Sequence, residues 1–309
     1  MTAVAANGIT IEYESLGDPA APPILLIMGL GMQLVAWPDA FCQGLVERGF
    51  RVIRFDNRDC GLSSKFRVRK QPNLLAVLAA AWLRLPVPAP YTLEVMAADA
   101  VGLLDALGVR RAHVVGVSMG GMIAQVLAAI FPARVLSLTS IMSSSGSRKV
   151  SQPRPDAKRA LLSKPRDPGD PESVIDHLVG VFGVIGSPGF PTKPEVLREQ
   201  LARNVRRSYH PAGVTRQLVA VIASGDRRRL LRKVAAPTLV IHGAEDPLVP
   251  VEAGKDTARH ITGAKLMVID GMGHDLPPAL LPILVEAIAA HCHESNGPRL
   301  ASPPSYDGR

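Results

Sequence analysis

The sequence predicts an α/β fold: a mostly parallel central sheet with helices on both faces and an inserted helical cap. Three observations carry this. Strand-like apolar runs alternate with helix-like runs, the pattern of a sheet covered on both sides. Runs such as residues 23–28 are apolar throughout, as strands buried on both faces are. The alternation also breaks off after Ser143 and resumes at Pro237, leaving between them a stretch rich in Pro, Gly and Arg.

Taken in order, residues 9–15 alternate polar and apolar and predict an early edge strand. Residues 23–28 form the first buried parallel strand, and a helix over about 38–48 leads to the next, over 51–56. Thr92 opens a helix whose apolar residues keep helical spacing until Gly108 stops it. A strand starting at Ala112 then leads through a tight turn into a helix ending near Phe131–Pro132, and residues 135–141 form another strand. The sheet pattern returns at 237–241 and 265–269, and a closing helix covers about 278–291. These limits predict a core of residues 1–146 and 234–293, a helical cap of residues 147–233 with amphipathic pieces at 174–182 and 195–209, and a disordered tail at 294–309. No internal repeat is present.

A second insertion, residues 65–90, begins with the basic stretch 65–70 and continues with the apolar stretch 74–83. That composition suits either a helix buried under the cap, the favoured expectation, or an interfacial helix making peripheral contact with a membrane. In both cases it helps roof the site.

Composition narrows the function classes. A chain of 309 residues with 47% hydrophobic and 20% charged residues is an ordinary globular protein. The opening residues lack the basic and apolar blocks of a secretory leader, and no apolar run reaches spanning length, so a cytoplasmic location is expected. Three scattered cysteines, Cys42, Cys60 and Cys292, predict free thiols, not a disulfide framework. The net charge of +8 is concentrated: residues 147–233 hold 18 Lys and Arg against 8 Asp and Glu, the remainder 17 against 19. Without a nucleic-acid-binding signature in that stretch, a solvated basic face is expected, with attraction to anionic lipid or an acidic substrate as the alternative.

The chemistry centres on Gly116-Val117-Ser118-Met119-Gly120, a G-x-S-x-G run between a strand and a helix. Gly116 and Gly120 permit a turn that larger residues would block, lifting the Ser118 hydroxyl to the end of the sheet as a nucleophile. A serine hydroxyl needs a base held in the correct tautomer. His274, in the loop after the last strand, is the assigned base, and His242, at a strand end, is its competitor. The acid is assigned to Asp246 after the penultimate strand, with Glu245 adjacent as the alternative. The position after the strand ending near Ile141 carries only Met142 and serines. Backbone N–H groups of Met119 and Leu30 are the candidate oxyanion donors, and Gly29 and Gly31 let the second loop approach the substrate. That loop lacks the third glycine of a dinucleotide site, and His291-Cys292-His293 lacks metal-site spacing, so neither cofactor nor metal is expected.

The order Ser118, Asp246, His274 is that of an α/β-hydrolase. The chain resembles this family from about residue 8 to 291. Met28-Gly29-Leu30-Gly31, Trp37-Pro38, Asp56-Asn57-Arg58-Asp59-Cys60-Gly61-Leu62-Ser63 and Gly116–Gly121 are more particular. They are similar to actinobacterial esterases and lipases of the LipG-like group and, more distantly, to aclacinomycin methylesterase. The chain departs from the wider fold at Met28, where many members carry His, and at Asp59, where many carry Gly. The resemblance implies a serine hydrolase of carboxylic esters acting through an acyl-enzyme on Ser118. The alternatives are a phospholipase or thioesterase working on lipid at a membrane surface, and a ligand-binding protein that has lost turnover.

Overall fold

The computed structural model describes residues 2–69 and 71–296; of the disordered tail expected at 294–309, residues 294–296 instead end a helix, and the rest lies outside the described residues. Eight strands form one sheet: β1 (Thr2–Ala6), β2 (Ile9–Leu16), β3 (Pro23–Ile27), β4 (Arg51–Phe55), β5 (Ala112–Val117), β6 (Val135–Ile141), β7 (Thr238–Gly243) and β8 (Lys265–Ile269). Their spatial order is β1-β2-β4-β3-β5-β6-β7-β8. β1 and β2 run antiparallel to their neighbours, and every pairing from β4 to β8 is parallel. Strand β5, which leads to Ser118, is therefore central and buried along its whole length.

One helix layer packs α3 (Leu93–Ala106) and α4 (Met119–Ile130) against the sheet, and the opposite layer packs α1 (Asp39–Glu47) and α11 (Leu281–Asn296). Helix α4 is buried at every position but its last because it lies between sheet, α3 and the chain following β6, which explains why it carries no charged residue. The three cysteines are buried free thiols, and burial pushes Cys60 up to about 12. Among the described residues, no helix is long and apolar enough to cross a membrane.

Between β6 and β7 the chain forms α5 (Pro155–Leu162), α6 (Pro171–Ile185), α7 (Pro194–Arg207), α8 (Pro211–Ser224) and α9 (Arg228–Leu231), and α10 (Val251–His260) joins β7 to β8. The first four begin with proline at the first helical position, where its missing N–H costs nothing.

Two expectations need correction. Residues 9–15 are not an edge strand. β1 takes the edge, joined to β2 by Asn7-Gly8, both at positive φ (47° and 75°), the dipeptide that suits a two-residue hairpin. The apolar stretch 74–83 is not buried under the insertion either. It forms α2 (Leu74–Trp82), packed on α8 through its inward side with only Val77 fully covered, while Leu75 is 78% and Trp82 79% exposed. Most basic residues of 147–233 are exposed, but three arginines are covered. Arg216 is fully buried, Arg227 nearly so, and Arg207 mostly covered, because the first and last of these face buried carboxylates of the core.

Candidate active site

Ser118 occupies the turn from β5 to α4 with φ 53° and ψ −120°, a strained conformation for a non-glycine residue. The surroundings force it. A Cβ on Gly116 would lie 2.2 Å from the Gly120 carbonyl oxygen, and one on Gly120 would lie 2.0 Å from that of Ile27, so both positions exclude any side chain. The Ser118 N–H bonds to the Ile141 carbonyl at 2.9 Å and the Ser143 hydroxyl donates to the Ser118 carbonyl at 2.8 Å, fixing the turn from β6.

The structure brings the three side chains expected to react into one hydrogen-bonded chain. His274 Nε2 lies 3.0 Å from Ser118 Oγ, and His274 Nδ1 lies 2.7 Å from Asp246 Oδ2. Asp246 sits in the turn after β7, where its other oxygen accepts the N–H groups of Leu248 and Val249 at 2.9 and 2.8 Å. That Asx turn aims the free oxygen at the imidazole. Glu245 points elsewhere and accepts the Gly271 N–H at 2.5 Å, so it braces the histidine loop instead of contacting the ring. His274 is held from the insertion too, because its N–H donates to the carbonyl of Ile185 at the end of α6 at 2.7 Å.

The competing histidines have other partners. His242 is fully buried; its Nε2 donates to the Val249 carbonyl at 2.7 Å, and burial pushes it below the ordinary imidazole range. His113 Nδ1 lies 2.8 Å from Ser137 Oγ inside the core. His291 is buried in α11 and the His293 ring packs against Phe50. Among the described residues, no cluster of three or more His, Cys, Asp or Glu could hold a metal ion.

The loop after β3 lies against Ser118: a Cβ on Gly29 would sit 3.3 Å from Ser118 Cβ. Gly31, at φ 69°, has Val214 of α8 directly above it. Among the described residues, the N–H groups of Leu30 and Met119 meet no protein acceptor.

Sequence reasoning used the run Asp56-Asn57-Arg58-Asp59 only as a mark of resemblance. In the structure each of the four anchors a different element. Asp56 accepts the N–H groups of Leu34 and Leu62 and pairs with Arg207 at 2.7 Å. Asn57 donates to the Met28 carbonyl. Arg58 pairs with Asp99 of α3 at 2.5 Å, both buried. Asp59 accepts from Arg216, Tyr91 and the Phe66 N–H. Burial alone would raise the Asp59 carboxyl, but Arg216 and these donors outweigh it and hold the group below its ordinary range. The available signal was a run of four polar and charged residues directly after a buried strand, where each needs a partner.

This sheet order, and a strained serine between central strand and buried helix, define an α/β hydrolase. The chain belongs to that family: the alpha/beta hydrolase fold model matches residues 22–171, and a TAP-like protein model matches residues 220–279. Among its relatives is the rhodomycin D methylesterase DnrP of Streptomyces peucetius, 32% identical over 92% of this chain and 95% of that protein. The rhodomycin D methylesterase DauP of Streptomyces sp. strain C5 is 30% identical over 93% and 96%. An esterase from Thermogutta terrifontis superposes with a TM-score of 0.70 at 25% identity, covering 96% of this chain and all of that one. A meta-cleavage product hydrolase from Pseudomonas fluorescens shares the fold, with a TM-score of 0.72 at 20% identity over 96% and 98%.

Proposed function

We propose that the protein hydrolyses carboxylic esters through an acyl-enzyme on Ser118. The observation that carries this is the continuous contact from Ser118 Oγ through His274 to Asp246, set at a strained turn. Ser118 Oγ attacks the ester carbonyl while His274 Nε2 takes its proton. His274 then returns the proton to the leaving alcohol, and water repeats the sequence on the acyl-enzyme. Asp246 keeps the proton of the neutral ring on Nδ1 and stabilises the imidazolium. The N–H groups of Leu30 and Met119 receive the oxyanion, each worth about 3–4 kcal/mol by analogy with other such donors. The two methylesterase relatives make methyl esters of bulky acids the first substrate class to try. Residues 147–233 serve as the cap in this reading, supported by the contacts of Ile185 with the histidine loop and of Val214 with Gly31.

A second reading, lipid esters taken from a membrane surface, is favoured by α2. Leu75, Leu78 and Trp82 recur at helical spacing on its solvent side. Residues 61–93 carry five basic and no acidic residues, a composition attracted to anionic lipid.

A fluorophosphonate probe followed by an ester panel tests both readings. Labelling is expected on Ser118 and to be lost in Ser118→Ala; a folded wild-type protein that neither labels nor cleaves any ester would overturn the acyl-enzyme. Trp37 is already fully buried, so any blue shift of tryptophan emission on adding anionic vesicles reports Trp82. No shift, together with equal rates on soluble and vesicular ester, rejects the surface reading.

A further inference from the structure

Loop 28–32 carries two glycines, one of them at positive φ, so its backbone is intrinsically soft. The proposed oxyanion donor, the Leu30 N–H, is useful only if its direction is set before charge develops on the substrate. Three successive peptide units are held by three separate partners. The Met28 carbonyl accepts from Asn57 Nδ2 at 2.9 Å, on the sheet side. The Gly29 carbonyl accepts the Met32 N–H at 3.3 Å; in a trans peptide this aims the Leu30 N–H the opposite way. The Gly31 N–H donates to Gln217 Oε1 at 2.9 Å.

Gln217 belongs to α8, in the inserted helices, and is fully buried. Its amide spans a gap, because Nε2 donates at the same time to the Arg58 carbonyl at 2.8 Å. Arg58 is next to Asn57, so the two braces converge on one turn after β4. Arg216, the preceding residue on α8, pairs with Asp59 of that turn, which fixes the height of α8 above the loop.

We propose that Gln217 is a positioning residue that orients the oxyanion loop from the insertion, with Asn57 as its counterpart from the sheet. The inference rests on the acyl-transfer reading above. It makes the donor geometry depend on where α8 sits, so that insertion and hole are set together.

The test compares Gln217→Met, which removes both hydrogen bonds at similar volume, with Gln217→Glu, which keeps the acceptor for Gly31. Asn57→Ser cuts the opposite brace and carries the test if Gln217→Met does not fold. Arg198→Ala, which breaks an exposed ion-pair cluster between α6 and α7, controls for general loosening of the insertion. For Gln217→Met and Asn57→Ser, kcat on a soluble ester is expected to fall about 10- to 100-fold with KM within about 2-fold, since the donor acts on the transition state. The rate of fluorophosphonate labelling should fall in parallel, because the phosphonyl oxygen uses the same donors. Gln217→Glu should retain most of kcat, and Arg198→Ala all of it. Wild-type kcat in Gln217→Met, or a loss confined to KM, overturns the brace while leaving the acyl-enzyme intact. A wild-type protein without ester turnover or labelling overturns both.

Discussion

The strand ends and the inserted helices solve the same problem, placing side chains in fixed positions, by different physics. At the strand ends the devices are local and backbone-based: a strained serine between two glycines that tolerate no Cβ, and an aspartate locked by two N–H groups of its own turn. The aspartate turn needs no distant partner for its shape, and the serine turn adds to its own glycines only backbone and hydroxyl contacts from the adjoining strands β3 and β6. The insertion is held instead by long-range polar contacts, chiefly Arg207 with Asp56 and Arg216 with Asp59, separated by 151 and 157 residues in sequence. Local devices can be read in a short motif. Distant pairs cannot.

That contrast can be broken first at the strand ends, where the largest effects are expected. Ser118→Ala and His274→Ala should each lower kcat about 10⁴- to 10⁶-fold, and Asp246→Asn about 10⁴-fold by loss of the correct tautomer. Because the turn is shaped by its glycines, Ser118→Ala should leave the thermal midpoint nearly unchanged. Steady-state kinetics beside a melting curve decide it. Turnover near the wild-type rate in both Ser118→Ala and His274→Ala would remove the proposed site altogether.

In the insertion the expected loss is of stability. Arg216 and Asp59 are fully buried, so removing one partner strands the other charge in the interior. Arg216→Met or Asp59→Asn should therefore cost about 3–5 kcal/mol in urea unfolding. The double variant should cost less than the sum of the two. The Asp59 carboxyl is held below its ordinary range, so its stabilisation is complete above the unfolded value of about 3.9 and is lost as pH falls from there through the folded one. A cost below about 1 kcal/mol for either single variant would mean that apolar packing, not the ion pair, holds α8.

Much of the fold was legible because apolar strands and helical spacing report burial directly: seven of the eight strands stand where sequence pattern puts them. β1 was missed although Asn7-Gly8 advertised it, because the mostly exposed, alanine-rich run Thr2–Ala6 carries too little apolar or alternating signal to read as a strand without its partner. Ser118, His274 and Asp246 were legible from spacing and chain order, and the structure brings them within hydrogen-bond reach. What sequence could not show was direction. The apolar stretch of α2 is compatible with a buried helix or an exposed one, and only packing on α8 reveals that Leu75 and Trp82 face outward. The same holds for the partners of the arginines: Arg216, the one charged residue of α8, is buried against Asp59, and Arg198 of the highly charged α7 is exposed, but local sequence names neither carboxylate.

The smallest effect sharpens the comparison at the boundary between the two regions, at His242. Its Nε2–H donates to the Val249 carbonyl, which leaves Nδ1 unprotonated, buried and without a partner, against Gly254. Protonation would put a charged N–H where nothing accepts it, and burial accordingly holds this imidazole below its ordinary range. A folded value below the unfolded one means that stability is complete above about pH 6.5 and is lost as pH falls from there through the folded value. The melting temperature should therefore drop between pH 7.5 and 5.5. His242→Gln, whose amide can still donate to Val249 and cannot take up a proton in this range, should show a shallower drop. The same slope in both proteins would assign the acid sensitivity elsewhere. The turn around Asp246 would then owe none of its pH response to the histidine beneath it.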